Sequence, residues 1–229
     1  MVQKSRSSAE RPQRRRGRPR AFDPDAALTQ AMDVFWKKGF AATSLDDLSA
    51  ATGLNRPSLY GAFGDKRALY VQAYRRYREH VRETFTPLFA GPAPLRTKLR
   101  RMLLAALELY LSGEDGPRGC FTVLTASSDA ISDPEIRAIV AEAIESTDRG
   151  FGRLFAEARA AGELPPEADA RRLARMASAT VHTLSIRARA RTPRAALVPI
   201  VDDAVITICG PAPGRSMAGA TKPKGNDAT

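Results

Sequence analysis

The spacing of apolar residues predicts three short helices near the N-terminal end of the chain. Asp23 and Pro24 form a typical helix start, and the apolar residues that follow recur every three or four positions. Ser44 and Asn55 are typical N-caps of two further short helices, with a glycine turn between them. Three helices with so small a turn between the last two predict a helix-turn-helix that ends near residue 67.

Longer amphipathic stretches follow and predict a larger helical region. The apolar stripes lie at about residues 66–88, 95–111, 134–161, 168–190 and 193–209, with a short apolar piece at 119–126. No stretch shows the alternating pattern of a β-strand, so the sequence predicts an all-α fold. Pro199 interrupts the last stripe, which predicts either a kink at that position or a later start of the helix.

The positive charge of the chain is concentrated at its N-terminal end. The formal net charge is +11, and residues 1–20 contribute +7 of it through eight Lys and Arg against one Glu. The segment 1–21 also lacks large apolar residues, so we expect it to be disordered when free and to bind an anionic partner, either nucleic acid or an acidic membrane surface. Residues 210–229 are rich in Gly, Pro and Ala and predict a second disordered tail.

Composition and motifs argue against an enzyme, a metal site and a membrane protein. The two cysteines, Cys120 and Cys209, provide neither a disulfide framework nor a metal-ligand spacing. The chain has no phosphate-binding glycine loop, zinc-binding His-Glu motif or nucleophile elbow, so we expect no catalytic residue, no cofactor and no metal. It also has no signal peptide and no apolar run that could span a bilayer, which favours a cytoplasmic protein.

The segment from Thr43 to Lys66, followed by Ala68-Leu69, resembles the DNA-binding domain of the TetR family of bacterial regulators. The features that carry the resemblance are Gly39-Phe40, Thr43, the Gly53-Leu54 turn, Leu59-Tyr60, Phe63 and Lys66. The similarity covers about residues 22–70, and the C-terminal half is similar to the family in its helical character and its length. The resemblance implies a DNA-binding domain at 22–67 and a helical ligand-binding and dimerisation domain at 68–209.

The third helix is the expected recognition helix. Such a helix enters the major groove and presents the side chains of its first turn to base edges. That geometry predicts DNA contacts by Arg56, Pro57 and Ser58. The resemblance implies additional phosphate contacts by Thr43, Tyr60 and Lys66.

The basic arm contains the sequence Arg16-Gly17-Arg18 immediately before the first predicted helix. An extended Arg-Gly-Arg segment can lie in a narrow, A·T-rich minor groove, where the negative potential attracts the guanidinium groups. We therefore expect Arg16 and Arg18 to contact the minor groove. The alternative is a generic basic tail that raises nonspecific affinity by releasing counterions.

The resemblance implies a homodimer that is formed by the helices at about 168–190 and 193–209. The apolar stripes of these two helices favour a four-helix interface, and small residues at Ala174, Ala177 and Ser178 accompany the first stripe. The alternative is that both stripes close the core of the monomer.

Cys120 and Phe121 are the candidate sensing residues. Gly119-Cys120-Phe121 resembles a Gly-Cys start in one branch of the family, some members of which sense oxidants, electrophiles or metal. Arg118, two positions before the cysteine, is expected to make the thiol more reactive. The alternative interpretation of Cys120 is a small buried apolar residue.

The sequence therefore predicts a homodimeric transcriptional regulator, most simply a repressor, that binds a double-stranded palindromic operator. A small molecule or a thiol-reactive signal is expected to release it from the DNA. The second interpretation is an architectural DNA-binding protein with weak sequence selectivity. The basic arm would suit that role, whereas coating DNA needs no large helical domain.

Overall fold

The computed structural model describes residues 22–113 and 115–211, and these parts contain nine α-helices and no strand. The helices are α1 Pro24–Lys38, α2 Leu45–Thr52, α3 Arg56–Phe63, α4 Lys66–Phe89, α5 Leu95–Leu111, α6 Phe121–Ser127, α7 Pro134–Ala160, α8 Ala170–Arg189 and α9 Arg194–Cys209. The predicted all-α fold is confirmed. The predictions for the arm at 1–21, and for all but the first two residues of the tail, lie outside the described residues.

Capping side chains define the starts of the first three helices. Asp23 and Asn55 accept backbone N–H groups at the starts of α1 and α3. Ser44 and Asp47 form a reciprocal capping box at α2, in which each side chain accepts the backbone N–H of the other residue. α2 and α3 have eight residues each, a length at which an isolated helix is unstable. Their positions therefore depend on packing against α1 and α4.

The helix-turn-helix is fixed by a shared apolar core. Phe35 of α1, Leu48 of α2, Leu59 and Phe63 of α3, and Leu69 of α4 are all buried in it. α1 packs along α4, and α2 and α3 lie against this pair. The long α4 continues into the C-terminal half, so a single helix belongs to both domains.

In the C-terminal half, α8 packs mainly along α7, and α5 packs on both α8 and α9. Ala174, Ala177 and Ser178, which we expected in a dimer interface, are instead buried inside the protomer. Ser178 donates a hydrogen bond to Asp148 of α7. These small residues therefore permit close approach of α7 and α8 within the protomer.

α9 begins at Arg194 and continues through Pro199, so the expected later start of this helix is wrong. A proline inside a helix leaves the carbonyl four residues earlier without its N–H donor. Both Pro199 and Ala195 are exposed, so water can bond to the carbonyl of Ala195. The surface position explains why the helix tolerates this proline.

The backbone at Gly119 lies directly against α8. Gly119 has a φ of +66°, and a Cβ at this position would stand 3.1 Å from the carbonyl oxygen of Ser185. We expect Gly119→Ala to lower the free energy of unfolding by roughly 2–4 kcal/mol, through left-handed backbone strain and the displaced carbonyl. Urea unfolding followed by circular dichroism measures the loss.

Gly162→Ala is the matched control for this substitution. Gly162 has a φ of +75°, but no atom lies within 4 Å of a Cβ placed there. Backbone strain alone should therefore lower the free energy of unfolding by about 1–2 kcal/mol. Equal losses in the two variants would contradict a tight contact between Gly119 and α8.

Candidate DNA-binding surface, internal cavity and the junction between them

α3 presents an exposed face at the surface of the N-terminal domain. Leu59 and Phe63 are buried on its inner side, whereas Arg56 and Pro57 are exposed and Tyr60 retains 47% of its accessible surface. A large aromatic residue with this exposure has no role in the core of the domain. The outer face of α3 is therefore available for contact with another molecule.

Arg56 is held at this face by an exposed ion pair. Its Nη2 donates to Oδ1 of Asp46 in α2 at 2.7 Å, and this hydrogen bond raises the pKa of Arg56 above its ordinary value. Exposed ion pairs contribute little stability. The guanidinium can therefore exchange Asp46 for a base edge without a large cost.

Three other predicted contact residues lie within α3 or at the starts of the helices on either side of it in the chain. Ser58 is half-buried, and its backbone N–H is bonded to the capping side chain of Asn55. Lys66 opens α4 with its Nζ 4.4 Å from the centre of the Phe40 ring. Thr43 is only 1% exposed, and its hydroxyl donates to the carbonyl of Gly39 at 2.6 Å. The Thr43 hydroxyl is therefore bonded within the protein in this structure, and a phosphate contact by Thr43 stays a prediction.

A cavity of about 700 Å³ lies between α4, α5, α7 and α8, beside the start of α6. This volume is within the range of small-molecule binding sites. Phe85 and Phe89 line it about two to three helical turns beyond Arg78 in α4, and the Phe89 ring lies 6.2 Å from that of Phe151, so this part of the wall is aromatic. Tyr77, Arg78, Tyr110, Cys120 and Thr122 line it near the start of α6, where Tyr77 lies against Cys120, and His182 of α8 also borders the cavity. The cavity is therefore amphipathic along its length.

The polar groups at this end of the cavity are mostly uncharged. Burial raises the pKa of Tyr77 and of Tyr110 well above the ordinary value, so both hydroxyls stay protonated at neutral pH. Burial also lowers the pKa of His182, which favours a neutral imidazole. The Oη of Tyr77 lies 3.3 Å from the Sγ of Cys120. Arg78 is the charged residue among these groups.

The two candidate sensing residues have different environments. Cys120 lines the cavity and is 8% exposed. Phe121 is fully buried in the core, edge-on to the rings of Tyr74 and Tyr77 at centroid distances of 5.5 Å. Phe121 is not among the described residues that line the cavity, so a sensing role for it stays a prediction without a contact to the cavity. Its position as the first residue of α6 turns the ring toward α4.

The side chain of Arg118 points to the N-terminal domain and contacts α1. Its Nη1 donates to Asp33 of α1 at 2.7 Å, and its guanidinium lies 4.1 Å from the centre of the Trp36 ring. The charge that we expected to activate Cys120 therefore pairs with a carboxylate of α1. The sequence spacing predicted proximity along the chain but not the direction of the side chain.

The segment that lines the cavity also contacts the N-terminal domain. Trp36 of α1 is buried, and its Nε1 donates to the carbonyl oxygen of Gly119 at 2.9 Å. The Trp36 ring is edge-on to Tyr77, with 4.8 Å between the centroids. Gly119 precedes Cys120 in the chain, so a single peptide separates the contact with α1 from the cavity wall.

Further hydrogen bonds attach the same segment to α8 on one side and to α4 on the other. On the α8 side, the backbone N–H of Cys120 donates to Ser185 Oγ at 2.7 Å, and Arg189 donates to the carbonyl oxygens of Arg118 and Lys37. On the α4 side, the hydroxyl of Tyr70 lies 2.9 Å from Oγ1 of Thr125 in α6. The residues from Arg118 to Thr125 thus connect α1, α4, α8 and the cavity.

The cavity residues of α4 and α7 were not identified from the sequence. Arg78, Phe89, Thr147 and Phe151 line the cavity, and the only signal for them was their place on amphipathic stripes. A stripe at helical spacing marks an inward face. It does not distinguish a filled core from a hollow one, because that depends on how far apart the helices lie.

The described parts of the chain offer no support for other kinds of site. None of their helices is long and apolar enough to cross a membrane. Nowhere in them do three or more His, Cys, Asp or Glu side chains come together as a metal site would require.

Comparisons with known proteins agree with this arrangement. The family description "Bacterial regulatory proteins, tetR family" matches residues 27–73, and "Tetracyclin repressor-like, C-terminal domain" matches residues 96–199. The HTH-type transcriptional repressor ComR of Escherichia coli (strain K12) is 32% identical over 175 residues, which are 76% of this chain and 83% of ComR.

Solved structures of TetR family regulators are similar to this chain over most of its length. A cysteine mutant of the TetR family transcriptional regulator CifR, in complex with 26-bp double-strand operator DNA, is 34% identical with a TM-score of 0.73. The match covers 82% of this chain and 98% of that one. A TetR family regulator from Cytophaga hutchinsonii is 27% identical with a TM-score of 0.71, covering 82% of this chain and 93% of its own.

An ion pair between the starts of α4 and α7 predicts a pH-dependent stability. Arg67 donates to Asp133, and this bond lowers the pKa of Asp133 to about 2. A pKa depressed below the unfolded value of about 3.9 stabilises the fold above pH ~4, and the effect is lost as the pH falls toward 2. We therefore expect the difference in free energy of unfolding between the wild type and Asp133→Asn to shrink as the pH falls from ~6 to ~3.

Urea unfolding at a series of pH values measures this difference. Asn at position 133 keeps a side-chain oxygen for the N-cap of α7, so the variant removes the charge and retains the cap. Asp23→Asn is the control, because Asp23 caps α1 without an ion pair among the described residues. A difference for Asp133→Asn that stays constant over this pH range would contradict a contribution from the Arg67 pair.

Proposed function

The chain belongs to the TetR family of bacterial regulatory proteins and is a transcriptional regulator, and from that premise we propose that it is an effector-responsive repressor that binds a palindromic operator as a homodimer. One observation carries the proposal: the cavity wall at Cys120 adjoins the carbonyl group that holds Trp36 of the DNA-binding domain. A molecule in the cavity would therefore act directly on the support of α1. The name of the relative ComR, a repressor, favours repression over activation.

The proposed DNA contacts use the exposed face of α3 and both of its ends. Arg56 and Ser58 read base edges in the major groove, with Pro57 alongside them. Tyr60 and Lys66 contact phosphates on either side of the groove, where they fix the register of the helix. Arg16 and Arg18 of the arm lie in the adjacent minor groove.

The proposed homodimer uses the outer faces of α8 and α9. Three large apolar residues remain exposed on these helices: Met176 at 42%, Ile186 at 58% and Ile206 at 50%. A symmetric interface over these faces would remove them from water and form a four-helix arrangement. Two protomers joined in this way would present their recognition helices to the two halves of a palindrome.

Release from DNA follows from thermodynamic linkage. An effector that binds better when the recognition helices are misplaced lowers operator affinity by the ratio of its affinities for the two states. Typical coupling energies are about 1–3 kcal/mol. An α,β-unsaturated carbonyl compound would displace the same segment if Sγ of Cys120 added to its β-carbon, because the carbon–carbon double bond opens and the α-carbon takes up a proton in place of the one lost by the thiol.

Selection from a random duplex library tests the proposal. The full chain is incubated with the library at near-physiological salt, because an arm with a charge of +7 would retain almost any DNA at low ionic strength. We expect a palindromic sequence to be enriched, with a half-site spacing that reports the separation of the two recognition helices. Enrichment of no more than a weak A·T bias would contradict the operator model and favour an architectural protein.

Repeating the library selection with Arg56→Ala tests whether this residue contacts a base. A lost contact between arginine and a base should weaken binding about tenfold or more and relax the preference at one base pair in each half-site. Arg76→Ala is the control, since Arg76 is an exposed arginine of α4 and its loss removes the same charge. An equal loss of affinity in both variants, with the base preference unchanged, would show that Arg56 acts only as a charge.

A further inference from the structure

The charged residues around the cavity leave an excess of positive charge. Four arginines and two glutamates border it. Both glutamates have partners: Glu79 lies 3.9 Å from Arg82, and Glu142 lies 3.3 Å from Arg149. Among the arginines of the cavity, Arg78 and Arg153 form no ion pair with any described residue.

Arg78 lies at the polar end of the cavity with most of its donors unused. The residue is half-buried, and the one hydrogen bond of its guanidinium within the described chain runs from Nη2 to the carbonyl of Ala143 at 3.4 Å. A guanidinium has five N–H donors in a planar fork. Arg78 and Tyr110 both line the cavity, and the charge of Arg78 opposes the rise in the pKa of Tyr110 that burial causes.

The opposite end of the cavity is aromatic and apolar. The rings of Phe89 and Phe151 lie 6.2 Å apart in an edge-to-face arrangement, and Phe85 lines the same end. Gly150 makes room there, because a Cβ at this position would stand 3.3 Å from the Phe89 ring. Arg153, two residues after Phe151, is exposed at the surface, so the buried rings provide the apolar wall for the hydrocarbon part of a ligand.

We infer that the cavity binds an amphipathic organic anion, with its carboxylate at Arg78 and its apolar body against Phe85, Phe89 and Phe151. The carboxylate accepts hydrogen bonds from the guanidinium fork, and the hydroxyls of Tyr77 and Tyr110 lie at the same end. A cationic ligand lacks a partner, since both carboxylates of the cavity are already paired. The inference rests on the proposed function in taking this cavity as the effector site.

Matched ligands that differ only in charge test the inference. The full-length protein is titrated by calorimetry with decanoate, decanamide and decylamine, and with the aromatic pair phenylbutyrate and phenylbutyramide. Charge-assisted hydrogen bonds are about twice as strong as neutral ones, so at least one carboxylate should bind about tenfold or more tightly than its amide. We expect decylamine to bind more weakly than decanoate and decanamide.

Arg78→Gln assigns the preference to one residue. Gln keeps a hydrogen-bond donor and much of the side chain, so the variant should bind the amides as the wild type does and lose the preference for the carboxylates. Arg75→Gln is the control, because Arg75 also borders the cavity but lies 3.7 Å from Glu135. The inference is overturned if neither carboxylate binds more tightly than its amide, or if the preference survives in Arg78→Gln.

The same ligands separate this inference from the proposed function. Fluorescence anisotropy with a duplex enriched in the library selection measures operator affinity with and without the preferred carboxylate. A lower operator affinity in the presence of the carboxylate would support both the anion site and the proposed effector-responsive repressor. Tight carboxylate binding that leaves operator affinity unchanged would support the anion site and contradict its role as the effector site.

Discussion

The hydrogen bond between Trp36 and Gly119 holds the DNA-binding domain on the rest of the protein. The indole N–H is buried and donates to the Gly119 carbonyl at 2.9 Å, and Arg118 covers the ring and pairs with Asp33. A buried donor without an acceptor costs about 1–3 kcal/mol. α1 therefore cannot leave this segment freely. Because Gly119 is also pressed against Ser185 of α8, the position of α1 is set by the same peptide that contacts the candidate dimer helix.

A ligand would contact different parts of the protein at the two ends of the cavity. A ligand body at the Phe89 end contacts α4 and α7 in the middle of the C-terminal domain. A ligand head at the Cys120 end lies against the segment that holds Trp36. Burial of apolar surface would supply most of the affinity, and contact at the polar end would supply the signal.

The sequence predicted the local structure and the family better than it predicted the site. Capping residues such as Ser44 and Asn55 define helix starts through contacts within a few residues, so their effect is visible in the sequence. The direction of Arg118, the burial of Thr43 and the hollow between α4 and α7 depend on residues far away in the chain. The periodicity that identified the inward faces is the same for a packed core and for a cavity.

A double-mutant cycle on operator affinity tests whether the cavity acts on DNA binding through Trp36. Thr147→Phe fills the cavity without a ligand, since Thr147 lines it and its hydroxyl bonds only within α7. Trp36→Phe removes the indole N–H and keeps an aromatic ring. We expect Thr147→Phe to lower operator affinity in the wild-type background and to have a much smaller effect in the Trp36→Phe background, a coupling that such cycles isolate. Equal losses in both backgrounds would contradict transmission through Trp36.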